Sequence, residues 1–549
     1  MFLLKQRFGN LKTFDTIIRG GTLIDGTGGD AVQSDVAING DKIVAIGDLH
    51  QYSAPSEIDA SNQIVCPGFI NVLSWAVESL QKDGRGLSDL KQGVTLEVMG
   101  EGTSWGPLNE RMKQELVSPI DGSKSQVKWD TLGEFLDYLV QQGVSVNVAS
   151  FVGTGTVRDY VLGHQQRKAT EDEIAQMRQL VKQAMEEGAM GLASALIYTP
   201  AAYADTEELI ALAKVSAQYN GIYISHIRNE GDEILDALQE LLTISEQAQL
   251  PCEIYHIKLA SPKAWRLIDQ FIERIETARA EGLAITANQY PYEAGATGLD
   301  AIMPPWVREG GLDLWVERLT KPEIRERVKA EILDNTGDWE NMYLDVGAEN
   351  ILLLSMVNPE LHHFSGRRLA DVARECGVHP LDMAMDLVVV DHSSVFCCYF
   401  SMSSENIYKK FQKPWVSICS DSEAECIEMA NPQLGTHPRA YGSFAKVLGE
   451  FVREKKLVSL PEAIRKMTSL PASNLKIKKR GLIKQDYYAD IVVFDAERIT
   501  ATSTYSEPRS YAEGVSHVWV NGKHTLKEGQ HTGAFAGQVV RGPGYVNEQ

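Results

Sequence analysis

Short apolar runs recur from about Cys66 to Ile418, separated by stretches whose apolar positions follow a helical period. The runs are QIVCPGFINVLS, GVTLEVMG, VSVNVASFVG, GAMGLASAL, GIYISH, PCEIYHIK, AITANQYPY and WVSICSD. Segments such as EDEIAQMRQLVKQAMEEG lie between most of them. Repeated strand–helix units predict an α/β fold with a parallel sheet closed into a barrel. In one unit the helix is expected over roughly 230–249, carrying Ile234, Leu235, Leu238, Leu241, Leu242 and Ile244 on one period. The strands on either side of it end in His226 and His256. The two chain ends read differently. DTIIRGGTLIDGTGG and DVAINGDKIVAIGD near the start, and DYYADIVVFD and GVSHVWVNGKHTL near the end, are short strands broken by Gly-Gly, Asp-Gly and Asn-Gly turns. They predict one small β-domain built from both termini. The expected organisation is a tail (1–13), a first β part (14–66), a barrel (67–480) and a second β part (481–549). A helical insertion at roughly 298–412, containing PPWVREGGLDLWVERLTKPEIRERVKAEIL, is expected at the catalytic face.

The length of 549 residues accommodates a large barrel and an accessory domain. A formal net charge of -21 argues against nucleic acid and anionic membranes as partners, while a pocket can still hold local positive charge. No apolar run reaches transmembrane length. The seven cysteines are odd in number and form no C-x-x-C, so reduced thiols in a cytoplasmic protein are expected. A homo-oligomer is compatible with all of this.

Strand ends converge on one face of a parallel barrel, so His226 and His256 are candidate ligands of one metal ion. As a bland alternative, each satisfies hydrogen bonds at a strand end. Asp421 directly follows WVSIC and reads either as a catalytic carboxylate or as a helix cap. Lys258 reads as a pocket cation or as half of a buried ion pair. Arg439 reads as a carboxylate-binding fork or as half of a surface pair. Tyr198 and Tyr290 read as hydrogen-bond donors or as core aromatics.

GGTLIDGTG, PGFIN, GVTLEVMGEG, GLASALIYTP, YISHIRNE, YHIKLA, QYPYEAGAT, PPWVREGG, SDSE, THPRAYGSF, IRKMTSLPASNL and ADIVVFD with VNGK follow one another in this order. Together they resemble the D-aminoacylase family, the N-acyl-D-amino-acid deacylases of the amidohydrolase superfamily. The resemblance implies a (β/α)8 TIM-type barrel with a β-sandwich from both termini, and metal-dependent hydrolysis of an amide. It implies that His226 and His256 hold zinc and that Asp421 is the general base. It also places Tyr198, Lys258, Tyr290 and Arg439 at substrate-contacting positions, the substrate being a small molecule with a carboxylate. The chain departs from the family's H-x-H, placing Leu73 and Trp75 there, and Asn71 stands where an aspartate is usual. It also lacks the usual cysteine ligand. Glu101 is the expected replacement and Glu97 the fallback, giving one zinc per chain. Thr154 and Ala296 are further departures. Two function classes stay open: a zinc hydrolase of N-acyl-D-amino acids or a related amide such as a dipeptide, and a divergent non-catalytic barrel.

Overall fold

The computed structural model describes residues 14–116, 127–335 and 339–546. The expected tail at 1–13 lies outside them. Eight parallel strand positions follow in chain order: Phe69–Asn71, Val94–Met99, Asn147–Ser150 continued by Val152–Gly153, Gly191–Ala195, Ile222–His226, Cys252–Ile254, Ile285–Gln289 and Val416–Ile418. Nearly all their residues are buried, as expected of strands covered on both faces. Each pairs with the next, for example Leu96 opposite Asn147 and Ser225 opposite Ile254. The last strand returns to the first. Ser74 bridges Ser422, and the Leu73 carbonyl accepts the Asp421 N–H at 2.9 Å.

Amphipathic helices supply the crossovers. Glu171–Glu186 starts at Thr170, whose side chain and that of Glu173 cap each other's backbone N–H. Thr206–Gln218 is capped by Asp205. The helix expected from 230 begins only at Ile234 and runs to Ala248. Asn229 Oδ1 takes the N–H groups of Gly231 and Glu233, which holds the preceding residues in a turn.

The resemblance implied a β-sandwich from both termini; strands from both ends of the chain join one nine-stranded sheet. Its seam is the antiparallel pairing of Ile64–Pro67 with Ile491–Phe494. Ile18, Val36, Val65, Ile491, Val493 and Trp519 form one buried cluster on it. The C-terminal segment reaches further, and Val148 in the third barrel strand exchanges hydrogen bonds with Gln538 and Val540.

The insertion, expected to be helical, also contains a sheet. Its helices, including Leu312–Leu319, Pro322–Leu333 and Pro380–Val390, pack on a three-stranded antiparallel sheet of Gly295–Gly298, Phe396–Tyr399 and Ile351–Ser355. It has its own core, with Leu299, Trp315, Val328, Leu353 and Leu381. Among the described residues, no helix is long and apolar enough to cross a membrane.

Candidate active site

The second barrel strand delivers Glu101. It is fully buried and is followed by Gly100, where φ is +103° and a Cβ would meet the Phe151 carbonyl at 2.5 Å. Gly102, at φ +64°, lies so close to Ala195 that a Cβ would approach that residue's Cβ to 2.5 Å. Only glycine fits both places, and the tight passage threads the Glu101 carboxylate into the interior with 4% exposure.

His226 closes the fifth strand, opposite Ala195. His256 lies two residues beyond the sixth strand, not in it, with a left-handed backbone at φ +35°. Its N–H is held by Asn288 Oδ1 at 2.8 Å. This turn removes the extended geometry that would set Lys258 on the same side as His256 by strand alternation. Asp421 is likewise left-handed, at φ +52°. Non-glycine residues held in this region cost free energy, and such positions cluster at functional sites.

These elements bring three buried donors together. Glu101 Oε1 lies 2.8 Å from His256 Nε2 and 3.3 Å from His226 Nδ1. All three ligand atoms fall within 4.8 Å of one another. Metal–ligand lengths near 2 Å put tetrahedral donors roughly 3.3 Å apart, so the spacing and the two-nitrogen, one-oxygen set fit a zinc-sized ion. Glu97, the fallback, is turned away and accepts from Asn71 Nδ2 at 2.8 Å.

Around this core the charges interlock. Glu230, whose role the sequence reading missed, places Oε2 at 3.3 Å from His226 Nε2 and Oε1 at 3.1 Å from His256 Nδ1. One carboxylate thus faces the outer nitrogen of both imidazoles. It also takes Lys258 Nζ at 3.0 Å, and that ammonium lies 3.0 Å from His256 Nδ1. Lys258 is therefore engaged within the site. The signal available was the four-residue spacing from His226 within SHIRNE, which instead read as the start of a helix.

Trp75 was set aside in the sequence as unable to bind metal. Its indole N–H points between two carboxylates, 3.1 Å from Glu101 Oε2 and 3.2 Å from Asp421 Oδ1. Arg439 Nη1 lies 2.7 Å from Asp421 Oδ2, and its guanidinium stacks 4.7 Å from the centre of the Tyr290 ring. Arg439 Nε, although buried, has no hydrogen-bond partner among the described residues, and neither has the Tyr290 hydroxyl. Tyr198 sets its ring edge on His226 and donates its hydroxyl to Thr297 Oγ1 at 2.8 Å. Thr154 and Ala296 belong to neighbouring segments, the helix Thr154–Leu162 and the insertion's sheet.

The electrostatics follow from burial and pairing. Burial pushes the Glu101 carboxyl up, but His256 and His226 outweigh it and hold it well below the carboxylate range. Burial likewise raises Glu230, and His226, Lys258 and His256 more than reverse this. Burial and Lys258 draw His256 down, yet Glu230 and Glu101 lift it to about 9. His226 is lowered, chiefly by burial. Asp421 is raised by burial, against the pull of Arg439. All seven cysteines are free thiols, and six of them are buried.

The comparisons with known proteins place the chain within a class. Residues 433–525 match the family model described as the amidohydrolase family. The D-aminoacylase of Alcaligenes xylosoxydans xylosoxydans is 31% identical over 96% of this chain and 97% of its own. The chain belongs to the D-aminoacylase family. Among solved structures, an N-acyl-D-glutamate deacylase from Bordetella bronchiseptica, complexed with zinc and a phosphonate mimic of the tetrahedral intermediate, matches at TM-score 0.80. It is 28% identical, covering 96% of this chain and 100% of that one. A D-aminoacylase structure concerned with a binuclear metal centre, one-metal activation and second-metal attenuation matches at 0.81, with 30% identity and the same coverage.

Proposed function

We propose that this protein hydrolyses the amide bond of N-acyl-D-amino acids on a (β/α)8 barrel, using one zinc ion held by Glu101, His226 and His256. The observation that carries the reading is the convergence of these three buried donors at strand ends, with the Asp421 carboxylate tied to the same cluster through the Trp75 indole. Bound there, zinc supplies the Lewis acidity that polarises a carbonyl and makes water a better nucleophile at neutral pH. Leu73 and Trp75 offer no ligand atom, which limits the site to one ion.

The protein's own groups do the rest. Asp421 accepts a proton from the attacking water and passes it to the departing nitrogen as the C–N bond breaks. Trp75 holds the Asp421 oxygen in place by its N–H, and Arg439 holds the other oxygen. Arg439 also has the unused Nε donor, which suits a substrate carboxylate. Tyr290 stacks under the guanidinium and orients it. Glu230 keeps the two imidazoles turned toward Glu101. Lys258 and Tyr198 line the wall where the rest of the substrate lies.

The test is elemental analysis with a hydrolysis assay on N-acetyl-D-amino acids. The expected result is close to one zinc per chain and release of free amino acid. Asp421→Asn is expected to lower turnover by at least ~100-fold with zinc content retained. Full activity of that variant, two tightly bound metals, or an active preparation free of metal would overturn the reading. If the variant loses zinc as well, Asp421 is a ligand and the Glu101 assignment fails.

A further inference from the structure

A small cavity of about 30 Å³ adjoins His226. That is room for a group the size of a water molecule or two. The barrel contributes Tyr198, His226, Glu230 and Lys258 to its lining, and the insertion contributes Glu340 and Asp345. Three of these six carry carboxyl groups and one carries an ammonium. That ammonium, Lys258, is already paired with Glu230.

Glu340 and Asp345 feel Lys258 and Lys263 respectively, but neither carboxyl is in direct contact with a cation among the described residues. Glu340 is 6% exposed, and its Oε2 accepts the Glu230 backbone N–H at 2.8 Å. Its other oxygen accepts no hydrogen bond, and it forms no ion pair among the described residues. The Asp345 carboxylate accepts no hydrogen bond and forms no ion pair among them either. It sits so close to Gly231 that a Cβ there would lie 2.6 Å from Asp345 Oδ2. Glu230 lines the same cavity and is buried, and its Oε1, although 3.1 Å from His256 Nδ1, accepts no well-aligned hydrogen bond among the described residues. Buried acceptors without donors are costly, and buried carboxylates without cations more so. Burial, with Glu230 and Asp345 nearby, pushes Glu340 up to about 8. Burial and Asp232 push Asp345 up to about 7.

We propose that this cavity is a subsite for a primary ammonium group on the substrate, received by Glu340, Asp345 and Glu230 Oε1. The inference rests on the amide-hydrolase reading above and narrows its substrate class. An ammonium brings three donors and the missing positive charge into a space of its own size. A carboxylate or phosphate would meet like charge. The ammonium has two possible sources. It is either the side chain of the amino-acid half or the free amine of an aminoacyl half, as in a dipeptide.

Three compounds separate these sources. N-acetyl-D-norleucine is the neutral reference, N(α)-acetyl-D-lysine adds an ammonium on the side chain, and glycyl-D-norleucine adds one on the acyl half. In the zinc-loaded wild type, one ammonium compound is expected to exceed the reference in kcat/KM by at least about tenfold, the scale of a charge-assisted hydrogen-bond set. In Glu340→Gln/Asp345→Asn that ratio is expected to fall to near one. Ratios are taken within a single preparation, so the folded fraction cancels. Asp345→Asn alone, at a partly exposed position, serves if the double variant does not fold, and it is expected to lower the ratio. A wild-type ratio of one or less for both ammonium compounds, or a ratio that the variants leave unchanged, overturns the subsite. If none of the three is hydrolysed, the hydrolase reading fails, and the subsite is then judged by calorimetric titration of the same intact compounds. Ammonium compounds that bind no tighter than the reference overturn it there too.

Discussion

Replacing Glu230 by glutamine keeps the shape of the side chain and removes one buried charge. In the native arrangement that carboxylate lies 3.0 Å from Lys258 Nζ, 3.1 Å from His256 Nδ1 and 3.3 Å from His226 Nε2. Removing one partner of a buried ion pair costs about 3–5 kcal/mol, since the other charge stays in the interior uncompensated. Glutamine still offers Lys258 an amide oxygen, so the lower end, about 3 kcal/mol, is expected for the metal-free protein. That is a large share of a typical stability of roughly 5–15 kcal/mol. The pH dependence has a definite sign. The folded Glu230 carboxyl lies below its unfolded value, so its contribution is present above the ordinary carboxylate pKa and is lost as pH falls through the depressed one. The gap between wild type and variant should therefore be full near pH 6–7 and narrow on acidification. Glu230 also faces the outer nitrogens of both candidate ligands, so zinc affinity should fall by about 10–100-fold. Urea denaturation of the metal-free proteins and competition against a chelating indicator measure the two effects. A variant with the wild-type urea midpoint and wild-type zinc affinity would refute the assignment of Glu230 to both imidazoles.

In the metal-free protein His256 titrates at about 9, yet a ligand must be deprotonated. Zinc binding at pH 7 should then release about one proton, with affinity rising roughly tenfold per pH unit up to about pH 9 and levelling off above. A flat titration from pH 7 to 9 would show that His256 is already neutral. Trp75→Phe removes the N–H shared by Glu101 and Asp421. A hydrogen bond to a charged group contributes about 1.5–3 kcal/mol, so the acidic limb of the kcat profile should move up by about one pH unit or more. Zinc content should be unchanged, and an unaltered profile would count against the shared bond. If Arg439 holds a substrate carboxylate, an N-acyl amino acid should exceed its carboxamide by at least about 100-fold in kcat/KM, and equal efficiency would rule that contact out.

The parts of the site legible in the sequence sit at or next to strand ends. His226 and Asp421 follow buried apolar runs, so the barrel rule places them, and glycines on both sides of Glu101 mark a turn after another such run. His256 was found for a partly wrong reason, since it lies past its strand in a left-handed turn held by Asn288 from the next strand. Glu230 was missed because its place depends on a non-local pull from Lys258 and two imidazoles, while its local sequence looks like a helix start. Trp75 read as the loss of a ligand, because a side chain's type does not disclose which acceptors its N–H will meet. Within the insertion, ILLLS and FCCY pair with each other across some 45 residues, and neither alternates or carries turn signals that announce a sheet. Glu340 and Asp345 stand far along the chain from every barrel strand end, so only the folded insertion brings them to the pocket.

The seam between the two chain ends bears on how the protein is made. Val65 pairs with Val493, roughly 430 residues later, which at ribosomal rates is on the order of 20–85 s of synthesis. Until then Ile64–Pro67 has an open edge, and the third barrel strand lacks the Gln538 and Val540 backbone partners. A contact this distant in sequence is slow to form by the chain's own diffusion, and an unpaired buried-type edge invites association. Loss of residues 536–546 would therefore strip partners from a central barrel strand that was synthesised long before them, and the defect should appear first as aggregation of newly made chains.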